Sequence, residues 1–325
     1  MSRTYGKKWI HLSQHQGSIG DLEHVSKKLD VRIDHLSASC NYNIGKDRAA
    51  QKWHQWEDLF NRYDGAITSD TAPLARIFLQ AGWDKPLVIW VSNRFDYADM
   101  ASNDCGFPDP EYYELMAKAL TMPNVTIVPY TAFEYIHARN RGIPMSDDVV
   151  RPTGGVTGLR GYDRSFEKYT GSFFIPQYHN DTKLLDLKGQ CQDVGVDAYC
   201  GRYNTPGDLT AFEGIIHIPY AWSNLALFEN WQMGLTYFIP SKKLILQMAR
   251  CREFFWSPPW MPEHLEISEW YSPENADNFV YFDSWPELAE KATAFKKADH
   301  KPKVIAHAKR NEEVQLEKWR RLLLV

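Results

Sequence analysis

A regular alternation of short apolar segments with longer amphipathic segments is the feature that most constrains the fold of this chain. In the first half, strand-length apolar segments are found at residues 9–13, 31–37, 65–68, 87–91 and 124–129. Segments with helical length and periodicity lie between them, at residues 17–28, 47–63, 73–80 and 110–120. This alternation predicts parallel strands joined by crossover helices, with helices on both faces of the sheet.

A glycine- and proline-rich tract at residues 145–161 interrupts the alternation, and apolar periodicity is lost there. The alternation then resumes, with strands predicted at 172–176, 196–200, 214–219 and 235–240 and helices at 183–189, 208–212, 224–233, 242–254, 285–295 and 304–324. We interpret the tract as a hinge between two Rossmann-like domains, residues 1–150 and 151–305, that face each other across a cleft. A long surface loop inside a single domain is the alternative interpretation.

Length and composition limit the class of protein. A chain of 325 residues favours two domains. Its net charge of −4 disfavours a general nucleic-acid-binding protein or a basic membrane-surface protein. The five cysteines lack CxxC spacing, which favours free thiols in a reducing compartment over disulfides or a cysteine-rich zinc site. Because we find no apolar leader and no apolar segment of membrane length, we expect a soluble cytoplasmic protein.

Polar loops follow several predicted strands of the first domain, and parallel sheets bind ligands beyond the carboxyl ends of their strands. The residues that we single out in these loops are His15, Gly17, Ser69, Asp70, Arg94 and Asp96. Helix capping is the alternative role of Ser69 or Asp70, and a surface ion pair is the alternative for Arg94 and Asp96. The first loop lacks the GxGxxG pattern, which disfavours a dinucleotide-dependent dehydrogenase.

The strongest functional signal lies at residues 218–241, where a buried strand, a polar turn, a helix and a second buried strand follow one another. Ser223 and Asn224, at the start of the helix, are placed to hold an anion such as a diphosphate. Glu229, further along the helix, offers a carboxylate that suits bidentate bonding to a ribose diol. An exposed helix residue with no ligand is the alternative interpretation of Glu229.

This tract resembles the C-terminal signature of GT-B glycosyltransferases, in which a helix with Glu, Ala and Gly stands between two strands. With Gly234 aligned on the family's glycine, Glu229 falls on the glutamate that binds the donor ribose. Residues 199–203 resemble the family's strand–glycine turn at the nucleotide base. Ala221 departs from the pattern, since it stands where the family's first glutamate would complete EX7E, and the loop before the helix is shorter. Residues 220–241 are also similar to glycosyltransferases of algae and large DNA viruses.

The resemblance implies an α/β chain with the GT-B fold, in which the second domain binds the donor, the first binds the acceptor, and residues 306–325 form a helix that crosses back to the first domain. It implies transfer of a sugar from a nucleoside-diphosphate sugar, UDP favoured and GDP possible, to a glycan hydroxyl. It implies no metal ion and no other cofactor, and no nucleic-acid partner is expected. The donor-binding residues that we expect are Gly17, Gly201, Arg202, Tyr203, Tyr220, Ser223, Asn224, Leu225 and Glu229.

Glycosyl transfer needs a proton acceptor near the attacking hydroxyl and positive charge near the departing diphosphate. We expect the general base among Asp70, Asp96 and His15, acceptor contacts from Ser69 and Arg94, and phosphate contacts from Arg202, Lys183 or Lys242. The missing first glutamate favours inversion, although the stereochemistry stays open. Two other hypotheses are a nucleotide-sugar 2-epimerase on the same fold and a non-catalytic nucleotide- or carbohydrate-binding module.

Overall fold

A computed structural model describes residues 7–37, 44–93, 95–96, 109–155, 162–177, 180–181, 185–251 and 265–324. The chain divides into two compact units, one comprising Met1–Thr153 with Glu313–Val325 and the other Gly154–Glu312. The division falls inside the glycine- and proline-rich tract. On the first side of it, Thr153 is buried and donates to the Asp21 carboxylate through its N–H at 3.2 Å and its hydroxyl at 2.6 Å.

The first unit is built on five parallel strands in the spatial order β2-β1-β3-β4-β5. These are β1 (Lys8–Ser13), β2 (Arg32–Ser37), β3 (Gly65–Thr68), β4 (Leu87–Val91) and β5 (Val125–Pro129). Strands β3 and β4 are buried along their whole length, as continuous apolar runs predict for a sheet covered on both faces. The strand order reverses between β1 and β3, which is the point where such sheets bind ligands beyond their carboxyl ends.

Helices connect these strands in the predicted order. They are α1 (Gln16–Leu29), α2 (Lys46–Phe60), α3 (Arg76–Leu79, preceded by a 3₁₀ turn at Ala72–Ala75), α4 (Pro110–Ala119) and α5 (Ala132–Asn140). On one face of the sheet, Phe60 and Phe78 pack with ring centroids 4.7 Å apart, and Trp53 and Trp83 close the cluster around them. This aromatic core anchors α2 and α3 and so holds the carboxyl end of β3 in place.

The second unit contains a second parallel sheet, in the spatial order β12-β11-β10-β6-β9. Its strands are β6 (Phe173–Pro176), β9 (Ala198–Gly201), β10 (Ile215–Ile216), β11 (Tyr237–Pro240) and β12 (Phe279–Phe282), and a separate antiparallel pair joins β7 (Asn180–Asp181) to β8 (Leu185–Asp186). In this sheet the strand order reverses between β6 and β10. By the same rule, the carboxyl ends of these two strands are where a ligand is expected.

The helices of the second unit lie largely where the alternation predicts them. They are α6 (Leu187–Asp193), α7 (Leu225–Gln232), α8 (Lys242–Cys251), α9 (Trp285–Ala294) and α10 (Lys297–Leu323), with 3₁₀ turns at Arg164–Tyr169, Pro206–Ala211 and Pro273–Asn278. The residues of α10 from Glu313 onward belong to the first unit. Helix α10 therefore begins in one unit and ends in the other.

Four details differ from the sequence-based predictions. The predicted start of the helix at 183–189 is wrong, since β8 occupies Leu185–Asp186 and pairs with β7. Helix α6 begins only at Leu187, and its N-cap is Asp186, whose carboxylate accepts from Gly189 N at 2.9 Å. Helix α10 begins at Lys297 rather than at 304, since the helix accommodates Pro302 in its second turn. Helix α5 and strand β12 were not predicted, because each lies beside a tract without clear periodicity.

The described cysteine side chains fit the expected free thiols, with Cys191 buried and Cys200 half-buried, and neither is in a disulfide. Burial raises the pKa of the Cys191 thiol to about 12. In the portion of the chain that is described, no helix has both the length and the apolar character that a membrane crossing requires.

Candidate functional site

A cavity of about 650 Å³ opens in the second unit at the carboxyl ends of β6, β9 and β10, the reversal point of that sheet. Its described lining comprises Phe174, Pro176, Gln177, Gly201, Arg202, Tyr203, Leu209, Ile215, His217, Asn224, Ala226, Asn230 and Tyr237. A volume of this size falls within the range of small-molecule sites. The position and the volume together make it the candidate ligand site of the second unit.

The floor of the cavity is apolar and aromatic. Ile215 and Tyr237 are buried, and the Tyr237 hydroxyl accepts from Asn230 Nδ2 at 2.6 Å. Burial raises the pKa of Tyr237 above its ordinary value, so this hydroxyl stays protonated at neutral pH. His217 is buried and stacks on Trp270 with ring centroids 4.6 Å apart. The floor is therefore a rigid surface against which a flat ring can rest.

The rim of the cavity carries positive charge and a close-packed turn. The Arg202 guanidinium donates through Nε to Gln177 Oε1 at 2.8 Å, and it is the only permanently charged side chain among the described lining residues. The residue before Arg202 is Gly201. A Cβ at this position would lie 2.4 Å from the Tyr199 hydroxyl, so the position favours glycine. The glycine thus leaves room for the Tyr199 side chain at the end of β9, directly before Arg202.

Helix α7 forms the opposite side of the cavity with its first two turns. Asn224 is the N-cap, and its Oδ1 accepts from Leu227 N at 2.7 Å. Ala226 and Asn230, four residues apart on one face of the helix, line the cavity. Burial raises the pKa of the Tyr203 hydroxyl, and the Glu229 carboxylate, one position before Asn230 in α7, raises it further. The N-terminus of α7, with its partial positive charge, therefore lies at the cavity.

A second polar cluster lies in the first unit, at the reversal point between β1 and β3. Asp70 is buried and has φ of 75°, a left-handed conformation that costs about 1–3 kcal/mol in a non-glycine residue. Its N–H donates to Ser92 Oγ at 2.8 Å, and its Oδ1 accepts from Asn93 Nδ2 at 3.0 Å. Its Oδ2 is buried without a hydrogen-bond partner in the described structure.

Burial disfavours the charged form of the Asp70 carboxyl. Burial raises the pKa of the carboxyl above its ordinary value, against smaller opposing effects from the Asn93 bond and His15. His15 itself is exposed and caps α1, with Nδ1 accepting from Gly17 N at 3.1 Å. A buried carboxyl with a raised pKa and an unpartnered oxygen is the arrangement expected of a proton acceptor.

Asp96, the other carboxylate predicted as a base, has a different environment. It is buried, its Oδ1 lies 2.8 Å from His137 Nε2, and its Oδ2 accepts from the Tyr113 hydroxyl. Arg141 Nε lies 3.5 Å from the same Oδ2. Both carboxylate oxygens are therefore occupied, which makes Asp96 a weaker candidate for proton transfer than Asp70. Sequence reasoning missed His137, because it lies on a helix that was not predicted.

The structure brings together only part of the predicted donor-binding set. Gly201, Arg202, Tyr203 and Asn224 line the cavity; Glu229 and Tyr220 are not among its described lining residues, although both raise the pKa of Tyr203 electrostatically. Other predicted residues do not line it: Ser223 and Leu225 are buried next to Asn224, Gly17 lies in the first unit, and Lys242 pairs with Glu266 at 3.0 Å on the surface. Arg94 and Lys183 lie outside the described residues.

Several lining residues were missed by the sequence interpretation. Asn230 had a detectable signal, because an amide four residues from a small alanine in an otherwise apolar helix marks a face that is not simply core. Phe174, His217 and Tyr237 had none, since they are indistinguishable from core positions in their strands. Within the ranges described above, no group of three or more His, Cys, Asp or Glu side chains is placed to hold a metal ion.

Comparison with known proteins gives structural neighbours but no sequence relatives. No family model matches the chain, and no curated protein matches it. The structure of MnaA of S. aureus with UDP matches with a TM-score of 0.52 at 11% identity, over 98% of this chain and 97% of that one. The UDP-GlcNAc 2-epimerase of Methanocaldococcus jannaschii matches with a TM-score of 0.50 at 10% identity, over 95% and 98%.

A UDP-glucosyltransferase from Polygonum tinctorium also matches, with a TM-score of 0.47 at 10% identity over 99% of this chain and 100% of that one. The two neighbours with the higher TM-scores align along nearly the whole of both chains, and each of the two sheets described above is parallel, with helices between successive strands. At such low identity, this likeness concerns the fold alone. The chain therefore has the α/β architecture of the GT-B fold.

Proposed function

We propose that this chain is a glycosyltransferase that binds a nucleoside-diphosphate sugar in the cavity of the second unit and transfers its sugar to a glycan hydroxyl. UDP is the favoured nucleotide, with GDP as the alternative, and the proposal gives no role to a metal ion. The cavity at the reversal point of the second sheet, closed on one side by the N-terminus of α7, is the observation that carries this proposal.

The cavity suits the three parts of a nucleotide. Its aromatic floor offers stacking area for a base, and the start of α7 with Arg202 offers positive charge for a diphosphate. Glu229 also belongs to α7, and its carboxylate interacts electrostatically with Tyr203. We assign this carboxylate to the ribose hydroxyls. The nucleotide of the MnaA complex and the substrate of the epimerase are both uridine compounds by name, which supports UDP as the first choice.

In the transfer step, an acceptor oxygen forms a bond to the anomeric carbon of the donor as the bond from that carbon to the phosphate oxygen breaks. The electron pair of the broken bond leaves with the nucleoside diphosphate, and the acceptor proton passes to Asp70 Oδ2. Asp70 has no exposed surface, so the proposal requires the residues that cover it to move when an acceptor binds. His15 Nδ1 accepts the cap bond from Gly17 N, so Nε2 is the ring nitrogen that we assign to a contact with the acceptor hydroxyl.

Calorimetric titration with UDP tests the donor site. Glu229→Gln is expected to weaken UDP binding about tenfold, the equivalent of one hydrogen bond to a charged group. Glu111→Gln, which alters an exposed carboxylate of the first unit, is the matched control and is expected to bind as the wild type does. Equal affinity in both variants contradicts the assignment of Glu229, and a wild-type chain that binds neither UDP nor GDP contradicts the proposal as a whole.

Product analysis separates transfer from the two competing functions. Incubation with UDP-sugars and a set of glycans is expected to yield free UDP together with an elongated glycan. The alternative suggested by the epimerase neighbour is a change of configuration in the sugar of UDP-GlcNAc without any acceptor. Binding with neither product would identify a non-catalytic module.

A further inference from the structure

Two histidines in the first sheet have no part in the transfer step described above. His11 lies fully buried in β1, which stands between β2 and β3, and His35 lies directly opposite it on β2. Their Nδ1 atoms are 2.8 Å apart. A buried imidazole is costly unless its nitrogens are hydrogen-bonded, so their partners in this sheet reveal what the pair does.

The hydrogen-bond pattern assigns a single proton arrangement to the pair. The Ser69 hydroxyl donates to Ser13 Oγ at 2.9 Å, and a hydroxyl has one proton to give. His11 Nε2, 2.8 Å from Ser69 Oγ, must therefore be the donor of that contact. Burial, reinforced by His35, holds the pKa of His11 well below its ordinary value, so the ring is neutral and its Nδ1 accepts from His35 Nδ1–H.

This chain of bonds ends next to the strained residue of the candidate site. Asp70 follows Ser69 directly and is the described non-glycine residue with the largest positive φ. On its far side the backbone is held by the bonds to Ser92 and Asn93, the latter donating through its N–H to Asp70 O at 2.7 Å. On its near side the side-chain anchor is Ser69, held between His11 and Ser13.

We propose that His11 is a positioning residue for Asp70. Its Nε2–H donates to Ser69 and thereby holds the Ser69–Asp70 segment in the left-handed turn that keeps Asp70 Oδ2 buried and unpartnered. His35 supports it by donating to Nδ1, which excludes the tautomer that could not donate to Ser69. The inference rests on the proposed function only in treating Asp70 as the proton acceptor of the transfer step.

Two amide substitutions at His11 test this role, because each replaces one imidazole nitrogen. In His11→Gln the amide nitrogen reaches the position of Nε2 and keeps the bond to Ser69, whereas in His11→Asn the amide reaches only the position of Nδ1 and loses it. His11→Asn is expected to lower kcat about tenfold, as for one lost hydrogen bond, with KM for the donor within twofold of the wild type. His11→Gln is expected to retain kcat.

A second readout does not depend on activity. Titration of the Asp70 carboxyl carbon by NMR is expected to show its pKa lowered toward the ordinary value in His11→Asn, since a loosened turn admits water, and unchanged in His11→Gln. His35 faces Glu23 and Asp34, and Asp70 faces His15, so the three variants that neutralise these neighbours one at a time serve as controls for their electrostatic effects.

An Asp70 pKa that stays unchanged in His11→Asn overturns the inference, as does an equal loss of kcat in the two variants with equal melting temperatures. Where His11→Asn does not fold, Ser69→Ala removes the same bond from the other side and is expected to reproduce its effects; a wild-type Asp70 pKa in that variant overturns the inference too. If the pKa moves as expected but the wild type transfers no sugar, the positioning role stands and the proposed function fails.

Discussion

The carboxyl ends of the two sheets are built in opposite ways. At the second sheet, an open cavity has an apolar floor, a charged rim and a helix N-terminus, and it is ready to receive a ligand. At the first sheet, Asp70 and its serine and histidine neighbours are buried and bonded to one another, with strain stored in the backbone. A preformed cavity favours tight binding of one ligand, whereas a buried, strained carboxyl favours chemistry that starts only after a second ligand arrives. The contrast supports binding at one sheet and proton transfer at the other.

The largest effect is expected from Asp70→Asn, which would break the contrast if the first sheet has no chemical role. Removal of a general base lowers kcat by roughly 10²–10⁴-fold, and the affinity for UDP is expected to stay unchanged because the cavity does not involve Asp70. Steady-state kinetics and calorimetry on the same preparation measure both quantities. Asp58→Asn, an exposed carboxylate of α2, is the control. Wild-type turnover in Asp70→Asn would remove Asp70 as the base.

The next largest effect is expected from Gly154→Ala, which tests how firmly α7 is held. Gly154 has φ of 71°, and a Cβ there would lie 2.5 Å from the backbone oxygen of Phe228 in α7. A strained φ together with a clash against backbone is expected to cost about 3 kcal/mol, a melting temperature lower by roughly 6–12 °C. Gly171→Ala has a similar strain at φ of 92° but open space around it, so its smaller loss isolates the clash. If calorimetry shows equal losses of stability in Gly154→Ala and Gly171→Ala, α7 shifts to accommodate the added Cβ without measurable cost.

Arg202→Met sharpens the assignment of the diphosphate to the cavity rim. Loss of a charge-assisted bond at this position is expected to weaken UDP binding about tenfold. Lys242→Met removes a cation that is paired with Glu266 outside the cavity lining and is expected to leave the affinity within twofold. A greater loss in Lys242→Met than in Arg202→Met, measured by titration, would place the phosphates at α8 instead.

The smallest effect is a dependence of stability on pH that arises in the first unit. Burial lowers the folded-state pKa of both His11 and His35, while Glu23 and Asp34 oppose the shift at His35. A neutral imidazole is therefore favoured on folding, so its stabilisation is complete above the unfolded pKa of about 6.5 and is lost as the pH falls below it. The expected loss from His11 is about 1 kcal/mol per pH unit below 6.5, seen as a falling melting temperature. A melting temperature that stays constant from pH 7.5 to pH 5.5 would contradict the assignment of His11 and His35 as buried, neutral imidazoles.

The sequence was informative where local rules decide the structure. Alternating apolar and amphipathic segments predicted both parallel sheets, because interior strands of such sheets must be apolar along their length. Asn224 was identified as the start of α7 because asparagine is a favoured N-cap. Gly201 and Arg202 were identified because residues 199–203 resemble the strand–glycine turn of GT-B glycosyltransferases, and both line the cavity.

Contacts between distant segments could not be predicted in the same way. The Asn93 bond to Asp70 and the three hydrogen bonds from His35 to Ser13 join segments 23–58 positions apart, and no pattern in one sequence encodes them. Lys242 is a further example of such a contact. Its place after β11 suggested a phosphate contact, which stays a prediction, and its side chain donates to Glu266 on the surface. Position along a strand predicts which edge a residue occupies, not which partner it finds.

A crystal structure of the chain with UDP tests the central claim most directly. The account predicts the uridine ring in the cavity against Tyr203 and the diphosphate at the first turn of α7, within bonding distance of Arg202. UDP bound elsewhere on the chain, with this cavity left open, would contradict it.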